Sequence, residues 1–245
     1  MSLRATAATA LRVLAQLRRD PRTIVLLLGV PSVLITLLHD LFADRPQVFQ
    51  HLGGPLLGLF PFISMFLVTS ITMLRERTSG TLERLMTLPL AKLDVLAGYA
   101  IAFALFAALQ ASVVSALAFG LLGLDSARSP VAVVGLAIAN ATLGMALGLF
   151  VSAFARSEFQ AVQFMPAFVF PQLLLCGLFV PRSQMAGWLQ SVSDVFPLTY
   201  AYDGLARLTS PVPLPTRFWI DVAVTLGATL LALGLGAATL RRRTG

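Results

Sequence analysis

The chain has 245 residues, 57% of them hydrophobic and 12% charged, with a mean hydropathy of +0.85, which excludes an ordinary soluble domain. Its net charge of +7 is not a nucleic-acid footprint, because the basic residues sit at the ends of apolar runs and form no stripe with interleaved aromatics. One cysteine, Cys176, and two histidines, His39 and His51, offer neither an internal disulfide nor a metal-ligand cluster.

Residues 1–20 read as an amphipathic helix. Leu3, Ala7, Ala10, Val13, Leu14 and Leu17 share one face, and Arg4, Arg12, Gln16 and Arg19 the other. Basic residues opposite Leu and Val predict a helix lying in a membrane interface. A secretory signal fits less well, because many more apolar runs follow the first. Pro21 ends this helix. A first span is expected over 23–41, with a kink at Pro31, followed by a polar stretch whose two histidines read as interface residues. A second span over 54–74 opens with Gly54-x-x-x-Gly58 and carries Phe60, Phe62 and Phe66.

Residues 75–98 form the longest polar interruption and hold Arg75, Glu76, Arg77, Glu83, Arg84, Lys92 and Asp94. A short helix is expected within it, with Gly80 as N-cap and Glu83 reaching back to free N–H groups. Leu82, Leu85 and Met86 then share an edge, and Pro89 stops the helix. One reading is a solvated loop that sets topology. The other is a docking element, favoured because both charge signs are interleaved where topology needs Lys and Arg alone.

A third span, over 95–124, is overlong, and Ala108, Ser112, Ala116 and Gly120 along it predict a ridge for close helix packing. A turn at 125–130 leads to span four, 131–154, with a second ridge at Gly144, Gly148 and Ser152. Span five, 159–179, contains Pro166 and Pro171. The segment 181–216 is too broken by proline to cross. Met185, Trp188, Leu189 and Val192 make one apolar face in it, and Tyr202, Leu205 and Leu208 mark a second short helix. It reads as an external hairpin dipping into the outer leaflet, with Trp188, Tyr200 and Tyr202 at headgroup level. Span six, 218–240, is closed by Arg241, Arg242 and Arg243.

Six spans put both termini on one side. Of the 18 basic residues, all but Arg45, Arg128, Arg182, Arg207 and Arg217 fall on that side. The positive-inside rule therefore places the termini and the 75–98 loop in the cytoplasm and the hairpin outside. The expected architecture is an all-α integral membrane protein and one transmembrane domain over 1–245, with an interfacial helix at 1–20, a coupling segment at 75–94 and the hairpin at 181–216.

No phosphate-loop motif occurs, and Lys92 is the one lysine. G-x-S-x-G, H-E-x-x-H and C-x-x-C are also absent, which disfavours an intramembrane enzyme. The span interiors carry Gln110, Asn140, Gln163 and Gln172 rather than ionisable groups, with Asp40 and Asp221 near span ends. Ion coupling normally needs intramembrane carboxylates or histidines, so a passive path driven through the cytoplasmic loop fits better.

The run Arg75-Glu76-Arg77-x-x-Gly80-Thr81-Leu82-Glu83-Arg84-Leu85-Met86-x-x-Pro89-Leu90 resembles the coupling segment of type-2 ABC transporter permeases, closest to the daunorubicin-resistance and nodulation-export group. A second match comprises Cys176–Pro181, Met185–Gln190 and Phe196–Tyr200. Ala186 and Phe196 stand there where the family commonly has Pro and Asn. The resemblance covers essentially the whole chain and is specific for fold and ATP coupling, not for cargo. It implies a chain without catalytic, cofactor or metal sites of its own. ATP and magnesium would be bound by a separate ATPase subunit in two copies, beside a second permease chain, identical or homologous. It implies coupling residues Arg75, Glu76, Arg77, Gly80, Leu82, Glu83, Arg84, Leu85, Met86 and Pro89. It also implies two short external helices sealing the path, with Trp188, Leu189 and Tyr200 at that gate. Phe62, Phe66, Gln163, Phe164 and Phe168 suit a path for an amphipathic, lipid-like or drug-like solute, although Phe is also ordinary lipid-facing filler. A membrane assembly or anchoring protein without transport is the alternative function.

Overall fold

The computed structural model describes residues 2–81, 92–126, 128–211 and 213–239. Every regular element among them is helical: α1 (Leu3–Arg18), α2 (Pro21–Leu41), α3 (Pro46–Thr78), α4 (Lys92–Gly120), α5 (Pro130–Val151), α6 (Glu158–Phe164), α7 (Phe170–Leu175), α8 (Gly187–Ser193), α9 (Pro197–Thr209) and α10 (Arg217–Thr239). A π-helical turn, Met165–Val169, joins α6 to α7, and a 3-10 turn, Arg182–Gln184, precedes α8. The protein is an all-α integral membrane protein, and α2, α3, α4, α5 and α10 are each long and apolar enough to cross a bilayer.

The fifth expected span takes a different form. Pro166 lies in the π turn and Pro171 in the first turn of α7. Proline has no N–H and its ring clashes with the carbonyl four residues back, so the helix widens locally instead of running through.

Local chemistry sets the helix starts. Asp20 caps α2 by accepting the Thr23 N–H at 3.2 Å and the Thr23 hydroxyl at 2.6 Å, with Pro21 preset for the first turn. The Thr23 hydroxyl, then its N–H, holds the Asp20 carboxyl below the usual carboxylate range.

The seam between α3 and α5 organises the bundle. A Cβ on Gly144 would lie 2.2 Å from the Phe62 carbonyl oxygen, and one on Gly148 would lie 2.2 Å from Thr69 Oγ1. Two glycines one turn apart thus let the helix backbones touch. Thr69 uses that proximity to donate to Met65 O at 2.6 Å and across the seam to Met145 O at 3.2 Å. The ridge expected from Gly144, Gly148 and Ser152 is buried.

The other expected ridge is turned outward. Ser112, Ala116 and Gly120 are exposed, and α4 buries Ala107, Ala111, Val114 and Ala118 instead. In lipid, an outward Leu costs no more than a buried one, so apolar periodicity does not say which face is inside.

α1 packs on α4 where Gly98 gives room: a Cβ there would lie 2.5 Å from Thr9 Cβ. Its buried face is Thr6, Thr9, Ala10, Val13 and Leu17. Leu3 and Ala7, expected on that face, are exposed. Two apolar cores result. One joins α1, α4 and the late residues of α3; the other joins α9 to the early residues of α3 and α5.

The hairpin helix α9 is a wedge. It buries Leu198, Ala201, Tyr202, Gly204, Leu205 and Leu208. Gly54 faces Thr209 and Gly58 faces Leu205, while Leu136 fills the space over Gly204. The Gly54-x-x-x-Gly58 pair therefore receives the hairpin, with Asn140 of α5 also against Gly58.

Candidate coupling and gating sites

The two polar ends of the bundle each hold a cluster of charges. At the first, α3 ends in a hydrogen-bonded last turn: Ser79 N–H bonds Arg75 O at 2.9 Å and Gly80 N–H bonds Arg77 O at 3.3 Å. Gly80 has φ 72°, a left-handed conformation that favours glycine and terminates a helix. Gly80 thus follows the Ser79 C-cap of α3 and immediately precedes Thr81, which is helical, the place where the sequence expects an N-cap. Leu82, Glu83, Arg84, Leu85, Met86 and Pro89 lie outside the described residues.

The roots of the 75–98 loop are fastened to other helices. Glu76 is 4% exposed and meets Arg12 of α1 at 3.5 Å. Arg12 also donates to the buried Tyr99 hydroxyl of α4, with its guanidinium 5.5 Å from the ring centroid. Arg12 was expected on the solvated face of α1; it reaches inward to Glu76, a buried carboxylate that meets no other cation among the described residues. Arg75 forms a bidentate pair with Glu158 at the start of α6, 2.7 and 2.9 Å, with both side chains exposed. Arg77 is half-buried. After the loop, buried Asp94 accepts the Ser2 N–H with both oxygens at 3.1 Å. Both roots therefore contact α1.

The second cluster ties the hairpin to α10. Arg182 pairs with Asp194 and, at 3.3 Å, with Asp203. Arg207 lies 4.0 Å from Asp203 and 3.2 Å from the fully buried Asp221 of α10. Burial raises the Asp203 carboxyl above the usual range, and Arg182 and Arg207 offset part of that. Sequence reading counted these arginines for topology and missed their pairing. One signal was available, the i, i+4 spacing of Asp203 and Arg207; the pairs between elements have no local signature. An open groove of about 680 Å³ beside this cluster is lined by Arg182, Ser183, Gln190, Asp194, Tyr200, Arg217 and Ile220. Among the gate residues, Trp188 is 69% exposed, Leu189 is half-buried, and the Tyr200 hydroxyl donates to Asp194 O at 2.8 Å.

The five path residues do not form one lining. Phe62 and Phe66 are locked inside the α3–α5 seam with no exposure. Phe164, partly buried against the core, meets Phe168 edge-on at 5.9 Å, while Phe168 and Gln163 are exposed on the outside of the broken helix.

A family model described as "ABC-2 type transporter" matches residues 4–208. The chain is 29% identical over 154 residues, 60% of its length, to the Escherichia coli (strain K12) protein named "Probable multidrug ABC transporter permease YbhR". It is 25% identical over 169 residues, 66% of its length, to "Linearmycin resistance permease protein LnrN" of Bacillus subtilis (strain 168). It is 24% identical over 143 residues, 58% of its length, to "ABC transporter G family member 20" of Dictyostelium discoideum. These stretches cover 40%, 44% and 20% of the three relatives, so the chain spans less than half the length of each.

Proposed function

The chain belongs to the ABC-2 type transporter family, and on that premise we propose that it is the membrane-spanning permease subunit of an ATP-driven exporter. A separate ATPase subunit, in two copies, binds ATP and magnesium. A second permease chain, identical or homologous, completes the path. The cargo is an amphipathic, lipid-like or drug-like solute, a class that the names of the multidrug and linearmycin resistance relatives support.

The observation that carries this reading is the fastening of both roots of the 75–98 loop. Glu76 is tied to Arg12, Arg75 to Glu158, and Asp94 to the start of α1. A solvated topological loop needs no such anchors. A loop that receives a push does, because anchored roots pass displacement to α3, α4 and α6 instead of absorbing it.

The membrane is a bacterial-type cytoplasmic membrane, with both termini and the loop inside. The α6–π–α7 segment makes the sixth crossing. Residues 158–175 span about 27 Å at helical rise, near the ~30 Å hydrocarbon thickness. Glu158 is tied to Arg75 at the loop end of the bundle, and Ser193 Oγ of the hairpin donates to Leu175 O at 2.9 Å at the other end.

Copurification with an ATPase that carries a phosphate-loop motif, followed by efflux from proteoliposomes over a panel of amphipathic compounds, tests this function. ATP-dependent efflux of any of them supports it. A chain that copurifies with no such ATPase belongs to the anchoring class instead.

A further inference from the structure

We propose that the corner where α1 meets α2 binds an anionic phospholipid, with its phosphate held by Arg18, Arg19 and Arg22. All three side chains are exposed, and none of their guanidinium groups meets an acceptor among the described residues. That sets them apart from Arg12, Arg75, Arg182 and Arg207, each of which meets a carboxylate. The one carboxylate within this run, Asp20, is occupied by the Thr23 cap. Three unneutralised guanidiniums within five residues make a site for a phosphodiester, which accepts their paired N–H groups.

The apolar surroundings identify the ligand as a lipid. Arg18 and Arg19 border an open groove of about 520 Å³ with Leu11, Leu14 and Ala15. Arg22 borders another, of about 360 Å³, with Pro21, Val25 and Leu26. Leu11, Val25 and Leu26 are exposed. A free phosphate has no use for these slots, whereas acyl chains fill them while the headgroup meets the arginines. The position agrees: α2 is a membrane-crossing helix and α1 turns off its first residue, so the corner lies at headgroup level. An interfacial basic cluster draws acidic lipid from the leaflet it faces.

The full-length chain is reconstituted in vesicles containing photoactivatable phosphatidylglycerol or photoactivatable phosphatidylcholine, with the reactive group on the acyl chain. Labelling is mapped to peptides carrying residues 11–26. Phosphatidylglycerol should label them roughly fivefold or more over phosphatidylcholine, a modest share of what three interfacial arginines confer. R18Q/R19Q/R22Q should abolish the preference, and R18K/R19K/R22K should retain most of it. Millimolar inorganic phosphate should not compete, because it leaves the apolar slots empty. Equal labelling by the two lipids, or a preference that survives the glutamine variant, would overturn the proposal. So would loss of phosphatidylglycerol labelling when a partner ATPase is bound, which would assign the arginines to an acidic protein surface.

Discussion

Arg12 and Glu76, 64 positions apart in the chain, meet at 3.5 Å, with the Glu76 side chain almost wholly buried and Tyr99 beneath the same guanidinium. This contact joins α1 to the last turns of α3 just before the polar loop. It makes α1 part of the loop's support rather than a helix lying free on the leaflet.

The pair is asymmetric, and so should be its variants. Glu76→Gln removes the carboxylate's charge and leaves Arg12, which is 34% exposed, a route to water. Arg12→Met strands a buried carboxylate. We expect Arg12→Met to cost about 2–3 kcal/mol and Glu76→Gln about 1 kcal/mol or less, below the full cost of breaking a buried pair because Arg12 is partly solvated. Denaturation of the detergent-solubilised protein checks this; equal costs would mean that Glu76 has another neutralising partner.

The glycine contacts give a sharper test of the seam. Gly148→Val would drive side-chain atoms into Phe66 and Thr69, and Gly144→Ala would clash with the Phe62 backbone. The obstacles are the Phe62 and Phe66 backbone and the hydrogen-bonded Thr69 hydroxyl, so both variants should lose several kcal/mol or fail to fold. Gly135→Ala meets nothing within 4 Å and should be neutral, or up to about 1 kcal/mol more stable through helix propensity. Size-exclusion profiles and thermal midpoints of the three variants separate these outcomes.

The hairpin should depend on Arg207. Arg207→Met leaves Asp221 buried without its cation and Asp203 with one fewer; adding Asp221→Asn should recover most of the loss. The readout is a cysteine at exposed Ser191 in a chain whose Cys176 has been replaced, labelled by an impermeant thiol reagent from outside. Labelling should quicken in Arg207→Met and return toward wild type in the double variant. Because burial raises the Asp203 carboxyl above its ordinary 3.8, the folded hairpin holds that proton more tightly than the released one. The contribution of Asp203 is therefore fully present below the ordinary value and is lost as pH rises through the raised one. Asp203→Asn should flatten the pH dependence in that window. Labelling of position 191 from the cytoplasm alone would reverse the topology.

Much of this architecture is legible in the residues. Spans one, two, three, four and six follow from length and hydropathy, and Pro21 and Asp20 mark the α1–α2 corner. The Gly144 and Gly148 ridge was found, and the equally regular Ala108 ridge misled, for one reason. Small residues at helical spacing permit close approach but do not identify the partner, and in lipid both faces of a span are apolar. Arg12, Asp203 and Asp221 were illegible for another reason. Arg12 pairs with Glu76 64 positions away, Asp203 with Arg182 21 positions away and Asp221 with Arg207 14 positions away, each across elements, and no local pattern encodes those pairings; the i, i+4 spacing of Asp203 and Arg207 was the local signal on offer. Pro166 and Pro171 stand inside the expected fifth span, but the sequence does not say that the helix breaks there or that it widens by a π turn.

The central claim is that motion enters through the 75–98 loop from a separate ATPase. Leu85 carries the apolar edge expected to dock that subunit. In proteoliposomes containing the permease and its ATPase, Leu85→Asp should insert and fold as wild type does, while permease-stimulated ATP hydrolysis and solute efflux fall to background. Stimulated hydrolysis and efflux at wild-type rates in Leu85→Asp would contradict the account.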